Sequence, residues 1–169
     1  MNTNALTHIS HTISVLVANK PGVLVRVALV FARRGYNIDS LVVSPVLDSE
    51  FSRMTITCSG DPATLDQIIK QLLKLVDVVR AIDHTGEAVI EKEMALIKVR
   101  CPIEERTAIL QIAEHFKGVT VDFGADALIL QMAGGSEKID HVLGLLQPFG
   151  ITDLVRTGKI LMARGSGRT

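Results

Sequence analysis

The chain has no tryptophan, one tyrosine and five phenylalanines among 169 residues. Six aromatic rings are too few to build a stacking platform for single-stranded nucleic acid. No charge of one sign is in excess: 18 Lys+Arg balance 18 Asp+Glu. That balance excludes a strong non-specific attraction to nucleic acid and adds no self-repulsion to assembly with other chains. Cysteine is scarce. Cys58 and Cys101 stand 43 positions apart, make no CxxC pair and supply no disulfide framework; two buried, reduced thiols of a cytoplasmic protein are expected. The longest pure apolar run, residues 27–32, is too short to cross a bilayer. The opening MNTNALTH lacks the basic and apolar regions of a secretory signal, so neither export nor membrane insertion is expected.

Catalytic signatures are missing as well. No GxSxG, HExxH, Walker-type loop or GxGxxG occurs. The five histidines, His8, His11, His84, His115 and His141, include no pair at helical metal spacing, and no metal site is expected. Gly134-Gly135 reads as a tight turn before a helix capped by Ser136. Glu104-Glu105 reads as a pair of first-turn carboxylates on a helix dipole, not a catalytic pair.

What is present is a core. Hydrophobic residues make up 47% and the mean hydropathy is +0.34. A folded chain of this length buries roughly 70% of its unfolded surface. Residues 9–18 alternate as a strand, and Asn19-Lys20-Pro21-Gly22 turns into a helix over 23–34, apolar nearly all round and stopped by Gly35. Such a helix expects burial on more than one side. Strands 37–46 and 51–59 form a hairpin across Asp48-Ser49-Glu50. Asp61 and Pro62 then open a helix with Leu65, Ile68, Ile69, Leu72 and Leu73 on one face, and 78–84 returns as a strand.

The same order then repeats. Strand 94–101 and helix 103–117 are followed by strands 119–123 and 127–133. A helix with Ile139, Val142, Leu143 and Leu146 inward comes next, then strands 151–156 and 159–163. The reading is α+β, with two ferredoxin-like βαββαβ domains at residues 9–85 and 94–165. Residues 1–8 form an N-terminal extension, 86–93 a charged linker and 166–169 a mobile tail. The sheet faces opposite the helices expect a cover from another chain.

One loop carries candidate chemistry. The N–H groups of Gly22, Val23 and Leu24 point out of a helix N-terminus, a ready site for a carboxylate. Gly22 permits close approach, and Asn19 offers both a carbonyl and an amide. An ordinary strand-to-helix turn has the same residues, and composition does not choose between the two.

The stretch Asn19-Lys20-Pro21-Gly22-Val23-Leu24 resembles the effector loop of an ACT domain, an amino-acid-sensing module. RGYNIDSLVVSP (34–45), SRMTI (52–56) and KQLLKLVDVV (70–79) together resemble the regulatory small subunit of acetohydroxyacid synthase, or acetolactate synthase. KEMALIKV (92–99) and FGITDLVRTGKILMARG (149–165) resemble that subunit's C-terminal domain. The resemblance spans residues 9–165. It implies a non-catalytic cytoplasmic subunit that activates a separate catalytic large subunit and confers feedback inhibition by valine in branched-chain amino acid biosynthesis. Thiamine diphosphate, FAD and magnesium are then expected on the catalytic chain and no cofactor on this one.

The resemblance further implies a homodimer through ACT domains, with the effector at the interface. One chain gives Asn19, Gly22, Val23 and Leu24; the other gives Asn37 and Ile38. A two-fold axis makes two equivalent sites. Val25 departs from the small polar residue expected in many relatives, at a position expected on the helix rather than in the pocket. Three other readings share the topology. A free-standing ACT sensor would act on a different enzyme. An acylphosphatase-like hydrolase wants an arginine cradle where this loop holds only Lys20. An RNA-binding module wants aromatics on central strands, where only Phe51 is present.

Overall fold

A computed structural model describes residues 9–169; the expected N-terminal extension, and His8 with it, lie outside the described residues. By its internal contacts the chain divides into two units. The first runs through Ile90 and includes Lys159–Thr169; the second is Glu91–Gly158.

In the first unit the elements are β1 (Ile9–Ala18), α1 (Val23–Ala32), β2 (Ile38–Pro45), β3 (Phe51–Gly60), α2 (Pro62–Leu72) and β4 (Val78–Asp83). The strands form an antiparallel sheet in the order β2-β3-β1-β4. The period-2 alternation of β1 sends Ile13, Val15 and Val17 to the core. There they meet Met54, Ile56 and Cys58 of β3 and the buried stripes of the helices: Val23, Val27 and Phe31, then Leu65, Ile68 and Leu72. The opposite face of the sheet carries hydroxyls, and Thr12, Ser14, Thr55 and Thr57 are all buried.

The second unit repeats the order with β5 (Ile90–Arg100), α3 (Arg106–His115), β6 (Val119–Phe123), β7 (Ala127–Gly134), α4 (Ser136–Leu146), a short 3-10 turn at Gln147–Phe149, and β8 (Ile151–Arg156). Its strands run β6-β7-β5-β8, the same permutation as in the first unit. Ala95, Ile97, Val99, Leu128, Leu130 and Met132 meet Ile109, Ala113, Ile139, Val142 and Leu146. Two ferredoxin-like βαββαβ units are therefore present. Cys58 and Cys101 are both free and buried.

Several boundaries differ from the sequence reading. The first helix ends at Ala32, so Arg33 caps it and no basic residue lies in its last turn. The second helix ends at Leu72, which leaves Leu73 exposed and Ile69 only partly buried. The third helix begins at Arg106, not 103. The Glu105 N–H closes a turn onto the Pro102 carbonyl at 3.1 Å, so Glu104 and Glu105 precede the helix and no carboxylate occupies its first turn. That helix stops at His115. Lys117 takes a positive φ of 53° and the Gly118 N–H returns to the Ala113 carbonyl at 2.7 Å. Gly135, not Ser136, is the N-cap of α4, and no side chain caps it. The strand expected from residue 94 starts at Ile90, inside the expected linker. The last strand, β9, is Ile160–Met162. Beyond it, Thr169 is nearly buried; its carbonyl accepts from Arg53 at 3.1 Å and its hydroxyl from the Ala163 N–H at 2.8 Å.

Candidate functional site

The loop from β1 to α1 is anchored on both sides. The Ala18 N–H donates to the Asp77 carbonyl at 2.8 Å, and the Asn19 N–H to the Glu50 carbonyl at 2.7 Å. The Asn19 side chain adds a second bond to the hairpin, from Nδ2 to the Ser49 carbonyl at 3.0 Å. Its amide is thus spent on the hairpin, and its carbonyl oxygen remains as an acceptor.

Gly22 is the N-cap of α1 and lies in the left-handed region at φ 83°. That conformation is strained for any residue with a Cβ. No side chain caps this helix, and its first turn contains no carboxylate. The N–H of Val23 makes a long bond of 3.4 Å to the Lys20 carbonyl. Those of Gly22, Leu24 and Val25 make none among the described residues. Three unpaired amides on the positive end of a helix dipole suit a carboxylate. Arg26 stands beside them. Its guanidinium is 3.5 Å from the place a Cβ on Gly22 would take, and it pairs with Asp77 at 2.6 Å. Sequence reasoning passed over Arg26 because it reads as one charge on a helix surface. Only the tertiary ion pair to Asp77, 51 residues away, brings it to the loop.

The six candidate residues do not meet within one chain. Asn19, Gly22, Val23 and Leu24 lie together at the end of the sheet where Ala18 pairs with Phe51. Asn37 and Ile38 lie at the other end, where Ile38 pairs with Cys58. Those pairs are seven steps apart along β3, about 23 Å at ~3.3 Å per residue. Asn37 is exposed and its Nδ2 donates to Asp39 at 3.1 Å, which leaves its carbonyl oxygen open. Of the loop residues only Val23 is buried; Asn19, Gly22 and Leu24 face solvent.

The outer side of α1 is apolar and uncovered. Leu24 is 42%, Val25 61% and Leu29 46% exposed. Burial of α1 within the chain is therefore one-sided, although its sequence is apolar nearly all round. Among the described residues no group of His, Cys, Asp or Glu is placed to hold a metal ion, and no helix is long and apolar enough to cross a membrane. A groove of about 650 Å³ in the second unit lies between α4 and β8, lined by Asp140, Leu143, Gly144, Ile151 and Leu154. Asp140 is already engaged there by Arg156 at 2.6 Å, and Arg156 also pairs with the buried Glu93. The carboxylates hold the Arg156 guanidinium above its ordinary pKa, Glu93 most strongly.

Comparison with known proteins gives both units a relationship. Residues 13–80 match the family described as the AHAS small subunit-like ACT domain, and residues 92–165 match the family described as the small subunit of acetolactate synthase. A probable acetolactate synthase small subunit of Methanothermobacter thermautotrophicus is 47% identical over 158 residues, covering 93% of this chain and 94% of that protein. One from Archaeoglobus fulgidus is 43% identical over 156 residues, covering 92% and 98%. The crystal structure of the acetolactate synthase small subunit from Thermotoga maritima superposes with a TM-score of 0.85 at 38% identity, covering 94% of this chain and 99% of that one. Two βαββαβ units of the same order, matched along almost their whole length, place this chain in the family of acetolactate synthase small subunits, with an ACT domain as its first unit.

Proposed function

We propose that this chain is a non-catalytic regulatory subunit. It binds the catalytic large subunit of acetolactate synthase, raises its activity and confers feedback inhibition by valine. The cofactors of the reaction, thiamine diphosphate, FAD and magnesium, reside in this reading on the catalytic chain. The observation that carries the proposal is the separation of the two half-sites. The amides at 22–25 offer donors for a carboxylate, and the Asn19 and Asn37 carbonyls offer acceptors for an ammonium group. A free amino acid has both groups a few ångströms apart, yet the half-sites are seven β3 residues apart within one chain.

A second copy resolves this. β2 is an edge strand of the first sheet. Antiparallel pairing of two β2 edges about a two-fold axis carries Asn37 and Ile38 of the second copy toward Pro45, at the hairpin end where the 19–24 loop sits. The exposed apolar side of α1, with Val25 and Leu29, then has a surface to meet in the dimer. Both sites form at once. Control follows as linkage: valine bound across the dimer favours one arrangement, and the catalytic chain must prefer the other. A coupling of about 1–3 kcal/mol corresponds to roughly 5–150-fold.

The test is a thermal-shift titration of this chain with valine, leucine, isoleucine and threonine. A ligand at a hundred times its dissociation constant adds about 2.7 kcal/mol of stability. The expected result is a rise of several degrees with valine that is lost in Asn37→Ala. A valine shift that persists in Asn37→Ala sinks the composite site. Co-purification with an enzyme that carries no thiamine diphosphate turns the reading to a free-standing sensor.

A further inference from the structure

Midway along β1, at the end of β4, lies a polar relay that the effector site does not use, buried at Ser14 and His84 and open to solvent at Glu87. Ser14 of β1 and His84, just past β4, are each 2% exposed. Ser14 Oγ lies 2.8 Å from His84 Nε2, and His84 Nδ1 lies 2.7 Å from Glu87 Oε2. The Glu87 carboxylate can only accept, so Nδ1 donates to it; in a neutral ring Nε2 then accepts the Ser14 hydroxyl. The same turn is held by its backbone. The His84 N–H donates to the Thr12 carbonyl at 2.9 Å, and the Glu87 N–H to the His84 carbonyl at 3.1 Å. On the next residue, Thr85 Oγ1 meets His11 Nδ1 at 3.1 Å.

A buried serine and histidine are costly unless partnered, and an apolar pair would pack the same strands without that cost. What the polar pair adds is direction: a fixed hydrogen-bond geometry that ties the turn 84–87 to one point on β1. Two features give the tie a consequence. The chain enters the second unit at Ile90–Glu91, three residues beyond Glu87. In the other direction, four residues along β1 from Ser14, lies Ala18, which opens the effector loop. The β1–β4 pairing shifts register once, between Leu16 and Val17, that is, between the loop and the relay. The irregularity divides β1 into a loop-side part, where Val17 pairs with Val78 and the Ala18 N–H meets the Asp77 carbonyl, and a relay-side part, where Ile13 to Leu16 pair with Asp83 to Arg80.

We propose that Ser14, His84 and Glu87 form a positioning relay that fixes the chain's exit from the first unit to β1, so that a displacement of β1 at the effector loop is delivered to the segment entering the second unit. The delivery rests on the effector reading above; the tie itself does not.

The experiment compares Ser14→Ala, His84→Ala and His84→Gln with wild type. It reads amide hydrogen exchange at residues 85–90 in the full chain, valine affinity by thermal shift, and residual activity of the holoenzyme at saturating valine. Ser14→Ala and His84→Ala are expected to speed exchange at 85–90 at least tenfold and to leave α1 unchanged. Valine affinity stays within twofold while the fold-inhibition falls at least fivefold. His84→Gln, which still accepts from Ser14, is expected to recover half or more of the inhibition. Ser14→Ala removes one oxygen and keeps the test alive if His84→Ala fails to fold. Unchanged exchange at 85–90 overturns the tie. Affinity and inhibition lost together overturn the delivery. A wild-type holoenzyme indifferent to valine refutes the effector reading and the delivery with it, while accelerated exchange in the variants still upholds the tie.

Discussion

The two units share strand order, helix placement and even an irregularity: the first strand of each shifts register against its fourth just before the helix, at Leu16/Val17 and at Lys98/Val99. Their helix entrances nonetheless have opposite characters. In the first unit a glycine in the left-handed region leaves exposed amides, with no carboxylate in the helix's first turn and the nearby Asp77 paired with Arg26. In the second, the N-cap is Glu105, with Glu104 before it, and one Glu105 carboxyl oxygen is buried without a partner. The first entrance offers donors to a carboxylate, as the proposed effector site requires; the second presents carboxylates of its own. The fold is repeated and the character of the helix entrance is not, because strand order follows from patterning whereas an entrance depends on particular residues at one turn.

The comparison can be broken first through the cores. Phe31→Ala in the first unit should cost about 3–5 kcal/mol and Ile97→Ala in the second about 2–5 kcal/mol. Urea unfolding followed separately in each unit is expected to show each loss confined to its own unit. A loss shared equally by both would mean that the two cores are one cooperative block.

Next comes the entrance. Gly22→Asp puts a carboxylate where the proposed effector would present its own, and a Cβ on a backbone at φ 83°. Valine inhibition of the holoenzyme is expected to disappear, a rise of at least a hundredfold in the inhibitory concentration. Glu105→Gln in the second unit is expected to leave that concentration within twofold. Retained inhibition in Gly22→Asp removes the loop from the site.

The smallest effect concerns acid. Asp61 caps α2; the Thr64 N–H at 2.9 Å, then the Thr64 hydroxyl, hold its carboxyl below the ordinary value. A lowered folded pKa contributes stability above the unfolded value, and that stability is lost as pH falls through the folded one. Asp61→Asn is therefore expected to flatten the acid limb of the first unit's stability curve, as followed by circular dichroism below about pH 5, where an unperturbed Asp begins to protonate. The second unit has no side-chain cap on α3 or α4. Its acid limb should not respond.

Much of this was legible along the chain. The alternation at Ile13, Val15 and Val17, the Asp61-Pro62 start of α2 and the stripe Leu65, Ile68, Leu72 are local patterns, and each places its element. Helix ends were harder. Glu104 and Glu105 suit a first turn by residue type, but Pro102 makes a turn closed by the Glu105 N–H and moves the start to Arg106. Ser136 is a good cap by type, but Gly135 takes the extended cap conformation. In both cases the competition lies between neighbouring residues of similar suitability, and the backbone path on either side decides it.

The loop residues Asn19 and Gly22 announced themselves through a turn signal before an apolar helix. The exposed side of α1 did not, because a stripe such as Val25 and Leu29 looks the same in sequence whether it faces the core or solvent. By itself, the sequence determined the two βαββαβ units, the apolar stripes of their cores and the turn that leads into α1, since all three depend on residues within a few positions of one another. Only the tertiary structure decided that Asn37 and Ile38 stand at the far end of the sheet from that loop, that Arg26 reaches Asp77, and that Ser14 meets His84. Those facts depend on strand register, and register is set by which faces the whole sheet buries rather than by any short stretch of chain.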